Sequence, residues 1–140
     1  MRITLNHERW LIILVALHTL SIGIIFLVAP DWAVKFGGWP QLVRPVFFGR
    51  QVGIFHLALV SGYLIEYFRY RGIYVIVAAK SIAFVFLLLL ALVDEVPWAV
   101  PVCGVVDGAM ALIVWLVHRV AHPKKTGEVR ERSREGFAQK

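Results

Sequence analysis

Four apolar runs, each about as long as a bilayer is thick, constrain this chain more than any other feature. They cover residues 10–29, 46–67, 72–93 and 97–118 of the 140. About 20 residues of helix, rising about 1.5 Å each, cross the roughly 30 Å of hydrocarbon in a membrane. Hydrocarbon offers backbone N–H and C=O groups no partner, so spanning segments are helices or closed barrels, and unbroken runs of this length are helices. The composition agrees, with 59% apolar residues and a mean hydropathy of +0.73, too apolar for an ordinary soluble domain. The expected fold class is an all-α integral membrane four-helix bundle.

Boundary residues punctuate the runs. Pro30 and Asp31 end the first, Arg44 and Pro45 precede the second, Asp94 and Glu95 follow the third, and Pro97 and Trp98 open the fourth. The links between spans two and three and between three and four are very short, so consecutive helices are expected to be antiparallel neighbours in an up-down-up-down order. The opening residues lack a small-residue cleavage site, so the first run reads as a retained span rather than a cleaved signal. Basic residues set the orientation. Arg2, Arg9, Arg69, Arg71, Arg119, Lys124, Lys125, Arg130, Arg132, Arg134 and Lys140 fall on one side, against Lys35 and Arg44 on the other, an eleven-to-two bias. The positive-inside rule then places both termini in the cytoplasm of a multi-pass protein, N-in and C-in.

Residues 30–45 between spans one and two carry Trp32, Phe36 and Trp39. They are expected to lie in the membrane interface, with a short helical turn before Gly37 and Gly38, as an aromatic anchor or as a flap over a ligand. Residues 119–140 form a charged, basic tail that holds too little apolar surface to order itself. Attraction to anionic lipid accounts for its lysines and arginines, and nucleic acid is not an expected partner because the tail lacks interleaved aromatics. The single Cys103 excludes an internal disulfide and is expected to pack as a small apolar residue.

Each span carries an ionisable residue well inside it: His18, His56, Lys80 and Asp107. A charge at that depth costs roughly 2.5–3.5 kcal/mol even on lenient insertion scales, so such residues find partners or mark functional paths. Lys80 lies nine residues beyond Arg71, and Asp107 eleven before His118. These are depths of roughly 13 and 16 Å from the same side, and an ion pair between spans three and four follows. It is either a clamp that fixes helix register or part of a proton or ligand site. His18 and His56 join the same layer. Neither has a second ligand at helical spacing within its own span, so no metal site is expected there.

Three further features are interfacial. Arg50 lies near the outer boundary and, with Arg44 and Gln51, could contact an anionic head group or carboxylate. Glu66 is expected to pair with Arg69 or Arg71. The small-residue pairs Gly49/Gly53 and Gly104/Gly108, the latter continued by Ala111, allow close helix approach, and suggest that spans two and four pack against each other. No phosphate-cradling glycine loop, nucleophile elbow, zincin motif or CxxC is present. Enzymatic activity by this chain alone is therefore not expected, no catalytic residue is assigned, and the sequence names no cofactor.

The outer segment after span one, the run RPVFFGRQVGIFHLAL at residues 44–59 and the run GVVDGAMALIV at residues 104–114 resemble the small bacterial four-helix membrane proteins of the DoxX-like type. That resemblance implies a protein of the bacterial inner membrane with a partner-dependent role, since such relatives include accessory subunits linked to quinone oxidation. Three functions stay open. The first is an accessory or scaffold subunit of a larger membrane complex or homo-oligomer, contacting a lipid or quinone. The second is a small oligomeric proton- or ion-coupled transporter or channel built on Lys80, Asp107 and His56. The third is a lipid- or quinone-directed enzyme with His56 as acid or base.

Overall fold

The computed structural model describes residues 5–42 and 44–123. Arg2 and most of the expected basic tail, residues 124–140, lie outside the described residues. The described chain is all helical: α1 (Leu5–Val28), α2 (Pro30–Phe36), α3 (Phe47–Tyr70), α4 (Tyr74–Val93) and α5 (Ala99–Ala121). Four of them, all but α2, are long and apolar enough to cross a membrane, and the chain is a small multi-pass membrane protein in build.

α1, α3 and α5 each outrun at one end the apolar stretch that predicts it, whereas α4 falls within its own. α1 begins at Leu5 rather than residue 10, and α5 continues to Ala121. Helical hydrogen bonds do not depend on hydrocarbon, so polar turns such as Asn6-His7-Glu8-Arg9 extend the helix beyond the apolar run. The short helix α2 falls where the sequence places a turn. Pro30 occupies its first turn, where a missing N–H is harmless and the fixed φ is already helical. Gly37 caps its end, and Gly38 follows with φ of +91°, a conformation that a side chain disfavours.

α3 ends on Arg71 with φ of +55°. The Arg71 N–H donates to the Tyr67 carbonyl, the bond of an αL cap, and the Gly72 N–H donates to the Glu66 carbonyl beyond it. Glu66 then turns its carboxylate onto α4, accepting from the backbone N–H of Tyr74 (2.9 Å) and of Val75 (2.8 Å). This corrects the expected pairing of Glu66 with Arg69 or Arg71. The first N–H groups of a helix have no intrahelical acceptor, and they attract the carboxylate instead.

Packing divides the bundle into two pairs: α1 lies along α3, and α4 along α5. Gly53 is the closest point of the first pair, since a Cβ there would stand 2.7 Å from the Gly23 carbonyl and 2.7 Å from Leu27. In the second pair a Cβ at Gly108 would meet the Phe84 ring at 2.5 Å, and one at Gly104 would meet Leu87 at 3.1 Å. The small-residue faces of spans two and four therefore serve different partners, and among the described residues the backbones of α3 and α5 do not approach each other closely.

The four-helix core is confined to one end. Ile12 and Val15 of α1, Tyr63 and Tyr67 of α3, Ile73 and Ile76 at the start of α4, and Val114 of α5 form a single buried cluster. Arg9 lies over the Phe68 ring at this end, 5.4 Å from its centroid. Toward α2 the buried positions of the long helices are glycines: Gly23 and Gly53 face each other across the α1–α3 pair, Gly49 faces Pro30 of α2, and Gly104 faces α4. At the far end the two pairs meet again through α2. Phe36 stacks on Trp32 (5.1 Å) and sets its edge against Trp98 (5.8 Å), while the Ala99 N–H donates to the Gly37 carbonyl (3.4 Å).

Candidate functional site

The buried faces repeat at alternating intervals of three and four residues, the spacing that returns to one side of a helix. On α3 the buried positions are Gly49, Gly53, Val60, Tyr63 and Tyr67, and half-buried His56 fills the gap in that register. On α1 they are Glu8, Ile12, Val15, Ala16, Thr19 and Gly23. Ile76 and Lys80 continue the stripe on α4; Gly104, Ala111 and Val114 carry it on α5. The polar residues of interest occupy core positions.

Lys80 Nζ donates to Asp107 Oδ1 at 2.6 Å, with side chains only 6% and 15% exposed. The bond ties α4 to α5 beside the Gly108–Phe84 contact, where the missing Cβ lets the two backbones approach. His18 stands within electrostatic range of Lys80, Asp107 and His56, so all four spans contribute to the layer. The buried Tyr63 is also within range of Asp107. Its place seven residues after His56, two helical turns on, was the signal available in the sequence.

The two histidines differ in how they are held. His56 Nδ1 donates to the Val52 carbonyl at 2.8 Å. A carbonyl only accepts, so the proton sits on Nδ1, and Nε2 of the neutral ring keeps its lone pair. His18 Nδ1 is buried without a hydrogen-bond partner among the described residues. An unpaired buried polar atom costs about 1–3 kcal/mol, and native sites that carry one hold it for a reason. Thr19 and Ser21 offer His18 no relief, since each hydroxyl donates to the carbonyl four residues back in α1.

The group of Arg44, Arg50 and Gln51 near α2 is not assembled as one clamp. Arg44 pairs with Asp31 of α2 at 3.3 Å, both well exposed; Arg50 is exposed in the first turn of α3, and Gln51 is half-buried beside it. Cys103, expected to pack, is exposed. The neighbouring Gly104 takes the buried face of α5, and one residue along a helix turns about 100° away from it.

A second polar cluster lies at the opposite end from α2, and sequence reading passes over it. Glu8 is 1% exposed. His118 Nδ1 donates to its Oε1 at 2.7 Å, and His122 Nε2 to its Oε2 at 3.1 Å. The two imidazoles stand 4.6 Å apart, tilted by 41°. The signal was present in the run His118-Arg119-Val120-Ala121-His122, two histidines one turn apart, and in Glu8, one turn before Ile12 on the buried stripe. Placing the end of the fourth span at His118 divides that pair between span and tail, and starting the first span at residue 10 leaves Glu8 outside it.

No protein-family model matches this chain, and no curated protein or solved structure matches it significantly.

Proposed function

We propose that this chain is an accessory or scaffold subunit of the bacterial inner membrane, and that its intramembrane layer contacts a lipid- or quinone-class ligand delivered from the bilayer. The reading rests on one observation above the others: the buried four-helix core stops at the layer of His18, His56, Lys80 and Asp107. Beyond that layer α4 presents Phe86, Leu89, Leu92 and Val93 outward, all exposed. An apolar body of this kind suits lateral contact with another membrane chain or a second copy of itself. The resemblance to DoxX-like proteins points the same way. The basic bias among the helix ends favours both termini in the cytoplasm and an up-down-up-down course.

The unpaired His18 Nδ1 is the natural contact for a ligand oxygen: a hydroxyl would donate to its lone pair, or a carbonyl would accept from it in the Nδ1–H tautomer. The Lys80–Asp107 pair is internally satisfied, so its first role in this reading is to fix α4 on α5 and to polarise the layer. Mass measurement of the tag-free protein extracted in mild detergent, with mass spectrometry of bound lipid and quinone, tests the proposal. A stoichiometric partner or homo-oligomer retaining such a ligand is expected, with ligand retention lost in His18→Phe. A bare monomer that retains neither overturns it.

The same orphaned nitrogen beside two charges favours a second reading, a proton-coupled path in an oligomer. Liposome flux driven by a pH gradient and abolished by Asp107→Asn would select that reading over the first.

A further inference from the structure

We propose that Glu8, His118 and His122 form a binding site for a divalent first-row transition metal, with zinc as the reference ion, that joins the start of α1 to the end of α5. Two imidazole nitrogens and one carboxylate are a donor set that zinc and its neighbours accept, and three protein ligands leave a position open for water. The ligand atoms of the three residues all lie within 4.8 Å of one another. A tetrahedral ion with bonds of about 2.0–2.1 Å needs ligands about 3.3–3.4 Å apart. The present contacts of 2.7 and 3.1 Å already bracket the carboxylate at close to that spacing. His122, whose side chain is 44% exposed, stands at the helix end, where a turn of its ring would close the remaining gap.

The local architecture suits an ion better than it suits a simple clamp. A single exposed hydrogen bond could tie two helix ends; here a carboxylate is withdrawn from water almost completely and both of its oxygens face imidazoles. Histidines one helical turn apart present their rings on the same side of α5, and the third donor comes from a different helix, so the site exists only in the folded bundle. Beside it lies a cavity of about 180 Å³ lined by Leu5, Tyr67, Arg71 and His122, which gives the open coordination position access and room for water. When the ion binds, the proton on His118 Nδ1 and that on His122 Nε2 pass to the other nitrogen of each ring, or to water from an imidazolium, and the freed lone pairs and one Glu8 oxygen take the metal. Protons and metal then compete, so affinity falls as the solution is acidified.

The experiment uses full-length, tag-free protein in detergent, stripped with chelator and titrated with Zn²⁺ by calorimetry and with Co²⁺ by visible absorption. One ion per chain is expected, with the intense bands of tetrahedral Co²⁺. Changes to outer-shell partners alone weaken metal sites about 10–100-fold, so Glu8→Gln, His118→Ala and His122→Ala should each weaken binding by at least about tenfold. Asp94→Asn and Glu95→Gln, at the other end of the molecule, should bind as the parent does. His122 is exposed at a helix end, so His122→Ala keeps the test available even if Glu8→Gln fails to fold. Absence of saturable binding to the parent protein, or unchanged affinity in His122→Ala, overturns the proposal.

Discussion

Lys80 and Asp107 show how two costly residues become tolerable in an apolar setting. Each alone would be an uncompensated charge; together, at 2.6 Å, they neutralise one another. Breaking a buried pair by removing one partner costs about 3–5 kcal/mol, whereas replacing both by apolar residues is often neutral. Lys80→Met and Asp107→Leu singly are therefore expected to lower the unfolding midpoint in detergent, and the double variant to recover most of the loss. Additive losses in the double variant would show that the pair is not a coupled clamp. Glu66 acts at the same scale. Its carboxylate satisfies two N–H groups at the start of α4, and Glu66→Ala should cost about 0.5–2 kcal/mol, the range of lost helix caps. The Lys80–Asp107 contact is legible in the sequence by counting depth along each span, because two opposite charges at matching depth in lipid are driven to pair. The role of Glu66 is not legible there, since a carboxylate near two arginines offers no sign that a helix start will claim it.

At the scale of elements, the glycines decide which helices pair. Gly53 and Gly62 lie on the same helix, and the structure separates them sharply. A methyl group at Gly53 would collide with the Gly23 carbonyl, a backbone atom that cannot step aside, whereas at Gly62 it would rest 3.7 Å from Val75. Gly53→Ala is expected to destabilise by about 1–3 kcal/mol, as overpacking does. Gly62→Ala should be neutral or stabilise by up to about 1 kcal/mol through helix propensity. Equal melting temperatures for the two variants would contradict the close α1–α3 interface. The spacing of these glycines is plain in the sequence, but the identity of the helix that each face meets is not. A small-xxx-small motif records that something approaches closely, and it carries no information about which neighbour does so.

For the whole molecule, the arrangement of helix ends makes a labelling experiment decisive. Single cysteines in a Cys103→Ala background at Arg71 and His122 should react with a membrane-impermeant reagent from one side of sealed vesicles, and one at Glu95 from the other. Labelling of all three from one side would overturn the topology. The sequence by itself determined that the chain forms four long helices, because apolar length and the need to satisfy backbone hydrogen bonds leave no other solution in lipid. It also determined that each long helix carries an ionisable group away from its ends. Only the tertiary structure decided that the helices pair as α1 with α3 and α4 with α5, that the shared core stops at the polar layer, and that Glu8 meets His118 and His122 across 110 and 114 residues of chain. Helix formation is a local matter of hydrogen bonds within about four residues. The choice of partner depends on side-chain shapes contributed by distant parts of the chain, which acquire a common surface only when the helices are brought together.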